Sequence, residues 1–110
     1  MEDCIFCKII KGEIPSAKIW EDDNVIAIND INPKAKVHIL IIPKRHIQSI
    51  KDMGSADNIL VGNMFLVAKE IAKENNLLGY KLLFNVGREG GQLVDHLHLH
   101  LLSSDWEKPV

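Results

Sequence analysis

Three histidines alternate with three leucines in His96-Leu97-His98-Leu99-His100-Leu101, and no other stretch of the chain restricts the fold so tightly. A helix would scatter these side chains around its axis. A period of two is that of a strand, whose alternate side chains point to opposite faces. The imidazoles then share one face at steps of about 6.6 Å, while the leucines enter a core. One histidine in a strand is usually a hydrogen-bonded structural residue. Three in strict alternation are costly to bury and mark a face built for chemistry.

The rest of the chain supplies partners for that strand. Cys4 to Lys11 reads as a short helix stopped by Gly12, and Pro15 bars its continuation. Strands are expected at Ala17 to Glu21, Val25 to Asn29 and Val37 to Ile42, separated by the turn formers Asp22-Asp23-Asn24 and Asp30-Ile31-Asn32-Pro33. Val37 to Ile42 is almost entirely apolar, which implies burial on both faces and a central position in the sheet. From Ser55, read as an N-cap, to about Asn76, Leu60, Met64, Val67 and Ile71 recur beside Val61, Phe65, Ala68 and Ala72. That is an amphipathic helix with a wide apolar face. Two further strands, Tyr80 to Val86 and Asp95 to Ser103, flank the glycine-rich turn Gly87 to Gln92. The order predicts an α+β fold: one mostly antiparallel five-stranded sheet, one long helix packed on a face, and a short N-terminal helix.

Composition narrows the function. At 110 residues and 46% hydrophobic content, one domain spanning 1–110 with one modest core is expected. Thirteen basic against 15 acidic residues leave a formal charge of -2 and no basic stripe for long DNA or RNA, although a single nucleotide can still bind. The opening Met1-Glu2-Asp3-Cys4 is acidic where a secretory signal is basic, and no apolar run reaches the roughly 18 residues of a membrane span. A soluble cytoplasmic protein with no membrane partner is expected. In that reducing compartment, Cys4 and Cys7 read as metal-binding or redox residues rather than a disulfide.

The histidine face admits two uses. Imidazoles two apart on a strand can share a cation, which would make a metal-dependent hydrolase. Alternatively, one imidazole attacks phosphorus while its neighbours stabilise the phosphoryl oxygens. Gly90, Gly91 and Gln92 favour the second use, because they can bring backbone N–H groups and a side-chain donor to an anion.

The string His96-Leu97-His98-Leu99-His100-Leu101-Leu102 resembles the signature of the histidine triad superfamily, in which three histidines alternate with apolar residues. The opening Cys4-Ile5-Phe6-Cys7-Lys8-Ile9-Ile10, Ile14-Pro15, Glu21-Asp22-Asp23, Asp30-Ile31-Asn32-Pro33, Ile42-Pro43-Lys44-Arg45-His46-Ile47 and Asn85 to Gln92 are similar to its nucleoside phosphoramidate hydrolase branch. The resemblance implies an α+β sheet assembled as a homodimer, and hydrolysis of purine nucleotide conjugates such as AMP amides. It implies that His98 is the nucleophile, that His100 binds phosphate oxygens or shuttles a proton, and that Asn85, Gly91 and Gln92 hold the phosphate and leaving side. Asp30 would accept from the ribose hydroxyls, with Ile28 and Ile31 as walls for the base. As a bare sequence feature, Asp30 reads equally well as a turn cap. A nucleotide-sensing module without turnover would use the same contacts.

For His98 to attack through Nε2, its Nδ1 must carry the proton and donate it, and a backbone carbonyl is the natural acceptor. Cys4-x-x-Cys7 has the spacing of half a zinc site that His46 and His96 could complete. The resemblance implies that Zn²⁺ binds those four residues structurally. His38 reads either as a support for the triad or as a satisfied core histidine. The chain departs from the family pattern at Leu93, where Ser or Thr is common, at Asp95, where an aromatic is common, and in the tail that carries Trp106.

Overall fold

The computed structural model describes residues 3–104, so Trp106 and its tail lie outside the described residues. Among those residues, five strands form one antiparallel sheet. They are β1 (Lys18–Glu21), β2 (Val25–Asn29), β3 (Val37–Pro43), β4 (Lys81–Leu83) and β5 (Leu99–Ser103), in the spatial order β1-β2-β3-β5-β4. The apolar β3 is central, as its composition requires. α1 (Ile5–Ile10) precedes the sheet in the chain, and α2 (Asn58–Glu74) follows β3.

Strand alternation divides the apolar residues into two cores. Val25, Ala27, Ile39, Ile41, Leu97, Leu99 and Leu101 face Met64, Val67, Ala68, Ile71 and Ala72 of α2. Ile26, Ile28, Leu40 and Ile42 face the other way and meet Phe6 and Ile9 of α1. The leucines of the triad therefore lie under α2, and His98 and His100 emerge on the α1 side. Helix α1 ends as expected at Gly12, whose φ of +80° is the left-handed conformation that glycine adopts without strain.

Three boundaries differ from the sequence expectation by three residues or more. β5 begins at Leu99 rather than Asp95. Extending the register Ile41 to Leu99 by two residues sets Leu97 opposite Pro43, which has no N–H to donate, so the ladder stops and Leu97 N–H turns to Ile47 O at 2.6 Å. β4 is only Lys81–Leu83, because the chain beyond it leaves the ladder to bring Asn85 beside His100. Ser55 does not cap α2. The carboxylate of Asp57 accepts the Gly54 N–H at 2.8 Å and pairs with Arg45, and Ser55 enters a short 3-10 turn instead. No helix among the described residues is long and apolar enough to cross a membrane.

Candidate active site and metal centre

The triad divides between two sites. His96 precedes β5, and its ring turns toward the N-terminal segment. Its Nδ1 lies 3.2 Å from Cys4 Sγ and 3.6 Å from Cys7 Sγ, and His46 Nδ1 lies 3.3 Å from Cys7 Sγ. All four donor atoms fall within 4.8 Å of one another. Metal bonds of about 2.3 Å to sulfur and about 2.0 Å to nitrogen set tetrahedral neighbours about 3.5 Å apart, so two thiols and two imidazoles at these separations fit a closed, thiophilic tetrahedral cation site. His96 Nε2 donates to Pro43 O at 2.8 Å, which fixes the tautomer and leaves the Nδ1 lone pair aimed at the sulfurs. Burial holds His96 neutral, with a pKa lowered to about 4. Burial, with the adjacent Cys4, raises the Cys7 thiol, a state that a bound cation would reverse.

His98 and His100 face a cleft of about 570 Å³ between α1, the β2–β3 turn and the loop before β5. His98 Nδ1 donates to the carbonyl of His96 at 2.7 Å, so Nε2 carries the lone pair. This is the tautomer that nucleophilic attack needs. Burial also lowers the His98 pKa and favours the neutral ring. The His98 and His100 ring centroids are 4.8 Å apart, closer than strand spacing alone gives, because the rings tilt toward each other.

A hydrogen-bond chain sets the proton on His100. Lys34 N–H donates to His38 Nδ1 at 3.0 Å, so the His38 proton is on Nε2, 2.8 Å from His100 Nδ1. His100 Nδ1 accepts, and its own proton goes to Nε2. The Asn85 amide nitrogen, itself a donor, stands 3.4 Å from that atom and makes no strong bond to it. Burial, together with the neighbouring His98 and His38, lowers the His100 pKa to about 4, so the ring is a neutral N–H donor. His38, whose pKa burial also lowers, is thus a support of the triad rather than an isolated core residue.

The other expected contacts divide. Asp30 does both of the things its position allowed: one carboxylate oxygen accepts Asn32 N–H at 2.8 Å as a turn cap, and the other lies 3.5 Å from His38 Nε2 at the cleft. Ile28, Ile31, Asn85 and Gly91 line the cleft. Gly91 has a φ of +86°, which a side chain would strain.

Gln92 is the correction. It is 2% exposed, its amide nitrogen donates to Gln48 O at 2.6 Å and Val94 O at 3.0 Å, and its oxygen accepts Gly87 N–H at 3.0 Å. A carboxamide with all these bonds braces the loop and does not reach the cleft. The backbone N–H groups of Gly90, Gly91 and Gln92 bond to Gly87 and Arg88 carbonyls, so the anion cradle read from the glycines is closed on itself.

A triad on one cation also fails geometrically. Among the described residues, His98 belongs to no cluster of metal-ligating atoms. The cluster of Asp30, His38 and His100 is organised by the 2.8 Å hydrogen bond between its two rings.

The family model described as "Scavenger mRNA decapping enzyme C-term binding" matches residues 3–110. The purine nucleoside phosphoramidase of Escherichia coli K12 is 45% identical over 103 residues, covering 92% of this chain and 87% of that protein. A HIT family hydrolase from Legionella pneumophila superposes with a TM-score of 0.91 at 48% identity, covering 94% of both chains. A histidine triad protein from Clostridium difficile gives 0.94 at 44% identity, covering 100% of this chain and 97% of that one.

The chain belongs to the histidine triad family.

The coarse activity that these comparisons support is hydrolysis. Within the family frame, Asp95 is accommodated by a bidentate pair with Arg88 at 2.8 and 3.0 Å, on the outer side of the loop. Leu93 stands 81% exposed at the cleft. Sequence reasoning missed the Pro43 carbonyl that orients His96, the Lys34 amide that orients His38, and Phe6, which packs on two of the triad rings. The first two are backbone groups, which no residue type announces. Phe6 lies between the two cysteines, and that adjacency was its only signal.

Proposed function

We propose that the chain hydrolyses purine nucleoside phosphoramidates, or related nucleotidyl conjugates, through a covalent nucleotidyl-His98. The observation that carries this reading is the 2.7 Å bond from His98 Nδ1 to His96 O, which leaves Nε2 as a buried lone pair facing the cleft. Nε2 attacks the α-phosphorus, the bond to the leaving amine breaks, and the amine departs with the electron pair and takes a proton from water in the cleft, while the His100 Nε2–H donates to the phosphoryl oxygens. The phosphorylated ring keeps its Nδ1 proton and becomes cationic, and the His96 carbonyl stabilises that charge. Water then attacks the same phosphorus and releases its proton to solvent. The P–Nε2 bond breaks, and AMP or its analogue is released. Asn85 holds the phosphate beside His100, Gly91 gives it room, Asp30 receives the ribose hydroxyls, and Ile28 and Ile31 flank the base.

Cys4, Cys7, His46 and His96 would hold one Zn²⁺. Four protein ligands leave no open position, so its contribution is to pin α1 to the sheet. The functional unit in this reading is a homodimer. The short edge strand β4 and the exposed Ile59 and Leu66 of α2 support that assembly.

The test is intact-mass analysis after rapid mixing with an adenosine phosphoramidate. The protein should gain one adenylyl mass on His98. His98→Ala should lose turnover while retaining AMP binding. A wild type that turns over with no adduct at any time, beside an active His98→Ala, would point to direct attack by water.

A further inference from the structure

We infer that Phe6 is a positioning residue for His98, through which the cysteine-held helix α1 fixes the plane of the attacking imidazole. The inference rests on His98 being the nucleophile and adds the group that holds its ring from outside β5.

The bond to His96 O fixes one edge of the His98 ring, but a single hydrogen bond permits rocking about its own axis. Packing on the ring must supply the remaining restraint. On one side stands His100, with centroids 4.8 Å apart and planes at 55°. Phe6 also meets the ring, edge to face, with centroids 5.1 Å apart and planes at 72°. The same phenyl meets His96 at 5.8 Å and 82°. One side chain therefore touches both the residue that carries the His98 acceptor and His98 itself. Phe6 is 6% exposed and sits in the core that α1 shares with Ile26, Ile28, Leu40 and Ile42.

Its backbone position is unusually well determined for so short a helix. α1 spans six residues, too few to be stable alone. Cys4 and Cys7, which flank Phe6 in the chain, meet His96 and His46 at 3.2 and 3.3 Å. The phenyl is thus carried by a segment fastened on both sides of it. The reacting nitrogen must be aimed closely at phosphorus, and small misplacements there are amplified in the rate. Phe6 should therefore act on the chemical step as well as on the shape of the cleft.

The measurements are the single-turnover rate of His98 adenylylation at saturating adenosine phosphoramidate and the AMP affinity of the same proteins by calorimetry. Phe6→Leu keeps an apolar side chain but removes the ring edge. It should slow adenylylation about 10-fold, as loss of an aromatic contact held close to a reacting group gives, a larger factor than any loss of AMP affinity. Phe6→Tyr keeps the edge and should restore the rate. Ile10→Ala packs against the same core without reaching the cleft. It should lower the melting temperature and leave the rate alone. If Phe6→Leu does not fold, Phe6→Met, which conserves volume, should show the same slowing. A Phe6→Leu or Phe6→Met protein that binds AMP more weakly but adenylylates at the wild-type rate reduces Phe6 to a wall of the cleft and overturns the inference. Wild-type protein that turns over with no adduct removes the nucleophile reading beneath it, a failure distinguishable because it does not involve Phe6.

Discussion

At the scale of single residues, the site is an arrangement of proton positions. Backbone groups decide three of them, Pro43 O for His96, His96 O for His98 and Lys34 N–H for His38, and the His38 ring passes the choice on to His100. All of these rings are buried and neutral, which has a consequence for stability. His100 has a pKa of about 4, against an ordinary value of 6.5, because burial and then the neighbouring His98 and His38 disfavour its charge. Between those values the unfolded chain binds a proton that the folded chain refuses. The stability is therefore complete above the unfolded value and falls as the pH drops toward 4. For His100 alone the gap corresponds to about 3 kcal/mol, and His38 shifts in the same direction. Guanidinium unfolding should show the wild type losing stability between about pH 7.5 and about pH 5, and His100→Asn losing less. Equal losses in the two proteins would mean that His100 is not the group refusing the proton.

Among the elements, α1 is the one whose position depends most on side chains outside it. It is short, its N-cap is Cys4, whose sulfur accepts Cys7 N–H at 3.4 Å, and its buried face is Phe6, Cys7 and Ile9. In the proposed zinc form, metal binding and the docking of this helix are one equilibrium. Elemental analysis of metal-replete protein should find about one zinc per chain. Cys4→Ala should lose most of that zinc and melt at a lower temperature. Adenylylation should persist in whatever remains folded, slowed to the degree that Phe6 loses its seat. Metal-replete protein without zinc would remove the assignment. The long helix is held differently. Met64, Ala68 and Ile71 are essentially inaccessible against the sheet, and just ahead of the helix the Asp57 carboxylate accepts the Gly54 N–H. Hydrophobic burial therefore determines its place, without a metal.

Across the whole molecule, the sheet separates two kinds of work. Its α2 side is a dry apolar core, and its α1 side carries the cleft and the metal-ligating cluster. Among the described residues β4 is one edge strand of the sheet, and on α2 Ile59 is 73% and Leu66 59% exposed. An edge strand and exposed apolar side chains are surfaces a second copy would cover in the proposed homodimer. Sedimentation should give a dimer for the wild type and a monomer for the double variant Ile59→Glu, Leu66→Glu. A wild type that stays monomeric at high micromolar concentration, or a double variant that still dimerises, would exclude this face.

Local pattern determined the element order, the central place of β3 and the inward leucines, because each follows from a period of two or of 3.6 read along the chain. It also identified His98 as needing a backbone acceptor and Cys4-x-x-Cys7 as half a metal site, since residue type and spacing carry that chemistry, while the assignment of His46 and His96 as the other half rested on the family resemblance. Only the tertiary structure decided which contacts the ambiguous residues make. Asp30 is both a cap and a cleft residue, because its two oxygens point different ways. His38 belongs to the triad because β3 and β5 pair in a register that sets it opposite Leu102 and brings its Nε2 to His100. Gln92 faces inward because the loop's own carbonyls and the segment after His46 claim its carboxamide. The outcomes for His38 and Gln92 depend on groups dozens of residues away in the chain, His100 and the Gln48 carbonyl, and local periodicity carries no information about where such groups arrive.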